Sequence, residues 1–193
     1  MAASSFLRRL RPVFVVALCV AFSGILLAQD PAGGRKDKFL VIAYVHGGGQ
    51  DLEQYPLQYL THMNYCFLRL HGNRLELGGE RDSIGITRLV ALKAKHPGLK
   101  VLLSFGGWGG SPTASDVFMT AEGRREFAVS CREWLVRVGA DGIDLDWEYP
   151  AIEGYPGHTY RDEDRRNFTL LVQEMRKEFG EKYEITFAAG GFG

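Results

Sequence analysis

The sequence has 193 residues, of which 46% are hydrophobic and 24% are charged, the composition of a globular protein with enough apolar material for a core. Lys plus Arg number 23 and Asp plus Glu number 23, so the formal net charge is zero. Bulk electrostatics therefore give no indication of a nucleic-acid partner or of a membrane-surface partner.

The N-terminal segment has the pattern of a secretory signal peptide. Three arginines between positions 8 and 11 precede an apolar run over residues 13–27, and polar residues follow. A transmembrane anchor is the alternative, but the run is shorter than the ~20 residues that a span needs. We therefore predict a signal peptide at residues 1–28 and a linker at 29–38. The protein is expected to be secreted, extracellular or periplasmic, without stable membrane association after cleavage.

Five β-rich segments alternate with amphipathic helices in the rest of the chain. The first segment is apolar throughout, as expected of a strand buried on both faces of a parallel sheet. Strands that alternate with helices at this spacing indicate parallel pairing through right-handed crossovers. The predicted strands are residues 39–45, 62–68, 100–105, 141–150 and 183–189, and the predicted helices are residues 83–96, 122–138 and 162–179.

The third strand runs into a glycine-rich segment, residues 106–112, that contains one tryptophan. Glycines at a strand end let another backbone or a ligand approach closely. Trp108 offers a flat surface for a sugar ring, although ordinary packing is the alternative role. Such residues cluster at the C-terminal strand ends, where (β/α)8 enzymes build their sites. An open doubly wound sheet predicts the same early pattern.

Residues 141–150, D-G-I-D-L-D-W-E-Y-P, carry four carboxylates within eight positions. Because strand side chains alternate, Asp144, Asp146 and Glu148 are predicted to share one face, and the apolar residues between them the other. Residues two apart on a strand lie ~6.5–7 Å apart. Like charges at that distance raise at least one pKa, so one carboxyl is expected to hold its proton near neutral pH.

Three interpretations of this acidic face compete. A solvated charge run is disfavoured by the apolar alternate face. A divalent-cation site is possible in principle, since carboxylate oxygens suit Mg²⁺ or Ca²⁺. The third is glycoside hydrolysis by paired carboxylates at a strand end, with one kept protonated as the general acid.

Residues 141–150 resemble the D-G-x-D-x-D-W-E-Y-P signature of glycoside hydrolase family 18, the chitinases. Residues 104–107, S-F-G-G, are similar to the family's S-x-G-G motif, and residues 65–67, Y-C-F, to its Y-x-F motif. The resemblance implies an α/β fold, the (β/α)8 TIM barrel, with only strands 1–5 in this chain. The chain is shorter than the ~250 residues of a typical barrel. We therefore expect residues 39–193 to be a partial catalytic barrel.

The resemblance also implies a reaction and its residues. The expected reaction is retaining, substrate-assisted hydrolysis of β-1,4-N-acetylglucosamine linkages in chitin or its oligosaccharides, without cofactor or metal. Glu148 would be the general acid, Asp146 would orient the substrate's acetamide, and Asp144 would share a proton with Asp146. Supporting roles are expected for Asp141, Ser104, Gly106 and Gly107, and substrate binding for Tyr44, Phe67, Trp108, Trp147 and Tyr149.

Two other functions fit the same resemblance. A chitinase-like lectin would bind chitin without cutting it, but such lectins usually lack the acid that stands here at Glu148. An endo-β-N-acetylglucosaminidase acting on N-glycans shares the acidic pattern, whereas Trp147, Tyr149 and Pro150 favour a chitinase. The activity of this chain alone is expected to be impaired by truncation.

Overall fold

The computed structural model describes residues 39–48 and 51–189. Residues 40–193 form one compact unit, which contains all the helices and strands described below. The predicted signal peptide and linker lie outside the described residues, and both stay predictions. Within the described ranges, no helix is long and apolar enough to cross a membrane.

A parallel sheet forms the centre of this unit, and its strands are arranged in chain order. The order is β1-β2-β4-β5-β6, with every neighbouring pair parallel, and β3 pairs antiparallel with β2. An open doubly wound sheet reverses its strand order at a switch point, and no reversal occurs among the described strands. The strands are β1 (Ile42–His46), β2 (His62–His71), β3 (Arg74–Glu76), β4 (Lys100–Gly106), β5 (Gly142–Asp146) and β6 (Glu184–Phe187).

Among the residues that the structure describes, four α-helices connect or follow these strands: α1 (Glu80–Leu92), α2 (Ala114–Met119), α3 (Ala121–Val138) and α4 (Asp164–Phe179). The boundaries of α3 show why the sequence folds this way locally. The Thr120 hydroxyl accepts a hydrogen bond from the Gly123 amide and caps the first turn. Gly139, with φ of 76°, ends the helix in the left-handed conformation that glycine tolerates.

The hydrophobic core lies between the helices and one face of the sheet. Phe105, Ile143 and Leu145 belong to this core together with Phe118 and Phe127 from α2 and α3. The alternate positions of the same strands face the other side of the sheet. That inner face is polar toward the C-terminal strand ends, and it holds the candidate site.

The structure corrects several predicted boundaries. Strand β1 begins at Ile42 rather than at residue 39, since its pairing with β2 begins there. Strand β2 continues past its predicted end at residue 68 to His71 and leads into a hairpin, because Gly72, with φ of 57°, permits a two-residue turn and Leu75 is buried in the core. Helix α2 was not predicted from the sequence. The acidic strand ends at Asp146, so Glu148 lies just beyond it.

Candidate active site

Asp144 lies in the middle of β5 and its side chain is 2% exposed. Three hydroxyl groups donate hydrogen bonds to its carboxylate. The Tyr44 hydroxyl and Ser104 Oγ lie 2.9 and 2.7 Å from Oδ2, and Thr186 Oγ1 lies 2.7 Å from Oδ1. These donors come from β1, β4 and β6, so the sheet register itself assembles the environment of Asp144. A buried carboxylate needs such donors to remain ionised.

Asp146 follows on the same face at the C-terminal end of β5. Burial, the charge of Glu148 and the charge of Asp144, in that order, raise its pKa from 3.8 to about 6. The sequence predicted that crowding would raise at least one carboxyl pKa so that it holds its proton near neutral pH; the rise agrees with the prediction, but at about 6 the group is mostly ionised at pH 7. The structure adds that Asp146 is such a carboxyl and that desolvation contributes more than repulsion.

Glu148 lies two residues beyond β5 and is half-buried. Its negative charge acts on both of its neighbours in the site. It raises the pKa of Asp146, and together with desolvation, the larger cause, it raises the pKa of Tyr149, whose side chain also hydrogen-bonds to Glu148. Asp144, Asp146 and Glu148 therefore form an electrostatically coupled row in which Asp144 is buried and the other two are half-buried.

Gly106 and Gly107 let β4 approach the backbone of β5 at this row. Gly106 has φ of 108°, and a Cβ there would lie 2.2 Å from the carbonyl oxygen of Asp146. The Gly107 amide donates a 2.8 Å hydrogen bond to the same oxygen. A Cβ at Gly107 would lie 2.5 Å from the ring of Phe67. Larger residues at these positions would displace Asp146 or Phe67.

Two aromatic residues predicted to bind substrate are exposed near the carboxylates. Tyr44 is 47% exposed while its hydroxyl donates to Asp144, and burial together with that charge raises its pKa. Trp108 is 59% exposed and lies on the loop after β4. Its ring is 6.3 Å from that of Tyr149 and 5.7 Å from that of Tyr155. These rings border the acidic row with flat apolar surface.

Trp147 does not join this group, which corrects its prediction as a substrate-binding residue. Its side chain is 5% exposed and belongs to the hydrophobic core on the opposite face of β5. Its ring is 5.4 Å from that of Phe118 and 6.4 Å from that of Phe168. The physical reason is the strand alternation, which places Trp147 with Ile143 and Leu145 rather than with the carboxylates.

Asp141 lies at the other end of β5. It forms a 2.7 Å ion pair with Lys93 Nζ and accepts a 2.8 Å hydrogen bond from the Val101 amide. These contacts tie α1 and β4 to the start of β5. Its predicted supporting role is therefore compatible with its position away from the acidic row.

The site also contains residues that sequence reasoning missed, namely Thr186 and Tyr155. Thr186 contacts Asp144 from 42 positions further along the chain, a pairing that only the register of β5 with β6 reveals. Tyr155 lies in a loop rich in glycine and proline, and it is exposed in the structure. An aromatic residue in such a loop was the sequence pattern that could have predicted it.

The divalent-cation interpretation finds no support in this geometry. Both oxygens of Asp144 already accept hydrogen bonds from hydroxyl groups. Over residues 39–48 and 51–189, no cluster of three or more His, Cys, Asp or Glu side chains is arranged to hold a metal ion.

Comparison with known proteins identifies the family to which this arrangement belongs. Residues 40–192 match the family model "Glycosyl hydrolases family 18". The chain belongs to glycosyl hydrolases family 18. It is 42% identical over 112 residues to chitinase A1 of Niallia circulans, covering 54% of this chain and 16% of that protein.

Solved structures agree with this family membership. Chitinase ChiA74 from Bacillus thuringiensis superposes with a TM-score of 0.72 at 28% identity, over 80% of this chain and 36% of that one. A mutant of Ostrinia furnacalis Group II chitinase catalytic domain 2, solved in complex with the oligosaccharide (NAG)5, has a TM-score of 0.69 at 27% identity, over 79% of this chain and 44% of that one. The sheet is thus part of the predicted TIM barrel, and the chain spans less than half of the length of each of these proteins.

Proposed function

We propose that this chain carries the acid-bearing part of an enzyme that hydrolyses β-1,4-linked N-acetylglucosamine polymers such as chitin. The observation that carries the proposal is the coupled row in which Asp146 lies between Asp144 and Glu148 with its pKa raised to about 6. A carboxyl group whose environment raises its pKa toward the working pH indicates a site suited to acid–base chemistry. Family membership supports the substrate class.

Each carboxylate has a separate role in this proposal. Glu148, at the end of the row that lies beyond β5, donates its proton to the glycosidic oxygen. Asp146 orients the substrate's N-acetyl group, whose carbonyl oxygen attacks the anomeric carbon, and it stabilises the positive charge that develops there. Asp144 shares a proton with Asp146 from its hydroxyl-lined position. Because the substrate supplies the nucleophile, the product retains its anomeric configuration.

The aromatic residues support sugar as the ligand. Tyr44, Trp108 and Tyr149 present ring surface beside the carboxylates, and Trp108 is the most exposed of the three. Sugar rings stack on such faces through their apolar C–H surfaces. Phe67 packs beside Gly107 and so borders the same end of the sheet.

The experiment compares polymers with and without the acetamide. The enzyme is assayed as a complete barrel containing residues 40–192, either in its full-length chain or after fusion to the C-terminal strands of a relative. We expect hydrolysis of acetylated chitin oligomers and negligible hydrolysis of fully deacetylated chitosan, because the nucleophile is then missing. Asp146→Asn should reduce turnover of the acetylated substrate.

The same assay separates the alternatives. Equal rates on the two polymers would rule out assistance by the substrate. Binding of chitin oligomers without turnover would favour the chitinase-like lectin. Cleavage of N-glycans in preference to chitin oligomers would favour the endo-β-N-acetylglucosaminidase. Secretion, which rests on the pattern of residues 1–28, stays a separate proposal.

A further inference from the structure

Thr186 is a hydroxyl-bearing residue on β6 that none of the recognised motifs contains. It pairs with Asp144 in the parallel register of β5 and β6. Its side chain is half-buried, and Oγ1 donates a 2.7 Å hydrogen bond to Asp144 Oδ1. The direction is settled by chemistry, since an ionised carboxylate can only accept.

Together, the three hydroxyl donors contact both oxygens of the Asp144 carboxylate. Tyr44 and Ser104 both donate to Oδ2, whereas Thr186 is the donor to Oδ1. A carboxylate held at both oxygens cannot rotate about its terminal bond without breaking a charge-assisted hydrogen bond. Loss of the Thr186 hydroxyl would leave Oδ1 buried without that donor, and an unpaired buried anion is costly.

Among the described residues, Asp144 forms no ion pair with a positively charged side chain. The titratable groups that face the two aspartates are Tyr44 on β1, Cys66 on β2, and Glu148 and Tyr149 beyond β5. Burial, then Asp146 and Asp144, raises the Cys66 pKa to about 11, so the thiol is neutral. Burial and Asp144 likewise keep Tyr44 protonated. The hydroxyl donors therefore stabilise the charge of Asp144 without help from a positive side chain.

We propose that Thr186 is a positioning residue of the active site, whose hydroxyl fixes the orientation of the Asp144 carboxylate beside Asp146. The inference rests on the proposed function and extends it to a strand outside the acidic signature. The raised pKa of Asp146 agrees with it, because the charge of Asp144 is one of the causes. Thr186 acts through Asp144 and is not itself a catalytic residue.

The test uses Thr186→Val, which removes the hydroxyl at nearly constant shape, and Thr186→Ser, which keeps it. Thr169→Val is the matched control, since Thr169 is an exposed threonine on α4 that hydrogen-bonds only to the carbonyl of Arg165 in its own helix. The full-length protein is labelled with ¹³C at the aspartate carboxyl carbons and titrated by NMR. The wild type, Thr186→Ser and Thr169→Val should show Asp146 titrating near pH 6.

Thr186→Val should behave differently in two measurements. The titration midpoint of Asp146 should move by roughly half a pH unit or more, because Asp144, whose charge contributes to that pKa, is no longer held in place. The kcat on a fluorogenic chitobioside should fall by about three- to tenfold with a shift of the acidic limb of its pH profile, while KM stays within about twofold. Thr186→Ser should restore both.

A Thr186→Val titration that coincides with the wild type within about 0.2 pH unit would overturn the proposal. If that variant is unfolded by circular dichroism, Thr186→Ala removes the same hydroxyl and carries the same expectation. The NMR result is independent of turnover. An inactive wild type with a shifted variant would refute the proposed function alone, and an active wild type with an unshifted variant would refute the role of Thr186 alone.

Discussion

The ionised form of Asp146 is disfavoured in the folded protein, because burial and two neighbouring carboxylates raise its pKa. Its pKa of about 6 exceeds the ordinary 3.8, so the folded state binds more protons than the unfolded state between those values. Stability contributed by its protonation is therefore lost as pH rises from about 4 to 6. Above pH 6 the ionised side chain opposes folding, which is the cost of keeping it beside Asp144 and Glu148.

Asp146→Asn should remove that cost. We expect the variant to be more stable than the wild type at pH 7, by roughly 1–2 kcal/mol once the shift is discounted for solvent screening. At pH 4 the two proteins should have nearly equal free energies of unfolding, because the wild-type carboxyl is then protonated. Urea unfolding at both pH values measures this difference.

Asp162→Asn is the control, since Asp162 is exposed on the loop before α4. It should change stability by less than about 0.5 kcal/mol at either pH. An Asp146→Asn gain that is the same at pH 4 and pH 7 would show that lost charge is not its cause.

The carboxylates themselves could be predicted from the sequence, whereas their partners could not. Strand alternation was enough to place Asp144 and Asp146 on one face. Tyr44 contacts Asp144 from 100 positions away and Thr186 from 42 positions away. Such pairs depend on which strands are neighbours and in what register they pair. Strand alternation and hydrophobic periodicity in one sequence do not reveal either.

The geometry of strand β5 explains why Trp108 and Trp147 differ in exposure. Trp108 lies on a loop and is 59% exposed, whereas Trp147 lies just past β5 on its core face and is 5% exposed. Strand alternation predicts that Trp147 faces the core, and the structure places it there. A side chain buried in this way offers little surface for binding substrate. The two side chains should therefore respond oppositely to truncation.

Trp147→Ala should lower the free energy of unfolding by about 3–5 kcal/mol, because it leaves a cavity between Phe118 and Phe168. Trp108→Ala should change stability by less than about 1 kcal/mol and weaken oligosaccharide binding by about tenfold, through lost stacking surface. Chemical unfolding and calorimetric titration measure the two effects. A stable Trp147→Ala variant with weakened binding would restore Trp147 to the substrate site.

Short elements were the least predictable from the sequence. The hairpin strand β3 has three residues and α2 has six, too few for a hydrophobic period to be recognised. Both are held by tertiary contacts: Leu75 of β3 is 1% exposed, and Phe118 of α2 packs edge-to-face against Phe127. The longer α3 and α4 were predicted within about two residues at each end, since their apolar period extends over several turns.

The described part of the sheet has two edge strands, β1 and β6. Among the described strands, β1 and β6 each pair on one side only, whereas a closed barrel pairs every strand on both sides. Ile42, Tyr44 and Phe187 on these edges are 41%, 47% and 57% exposed. Unpaired apolar edges promote association between chains.

We therefore expect residues 29–193, expressed alone, to associate and to hydrolyse chitin poorly although Glu148 is present. Water reaching the inner face would also weaken the electrostatics of the acidic row. Size-exclusion chromatography, a thermal scan and a fluorogenic chitobioside assay test this, with the complete barrel as control. A monomer that melts cooperatively and turns over at nearly the rate of the complete barrel would show that further strands are dispensable.

The kcat of Glu148→Gln in a complete barrel tests whether Glu148 is the general acid. Glutamine keeps the shape and removes the transferable proton, so we predict that kcat falls by about 10²- to 10⁴-fold while oligosaccharide affinity changes by less than about threefold. Glu153→Gln, an exposed glutamate on the same loop, should leave kcat unchanged. A Glu148→Gln enzyme that keeps more than about a tenth of the wild-type kcat would contradict the assignment of Glu148 as the general acid.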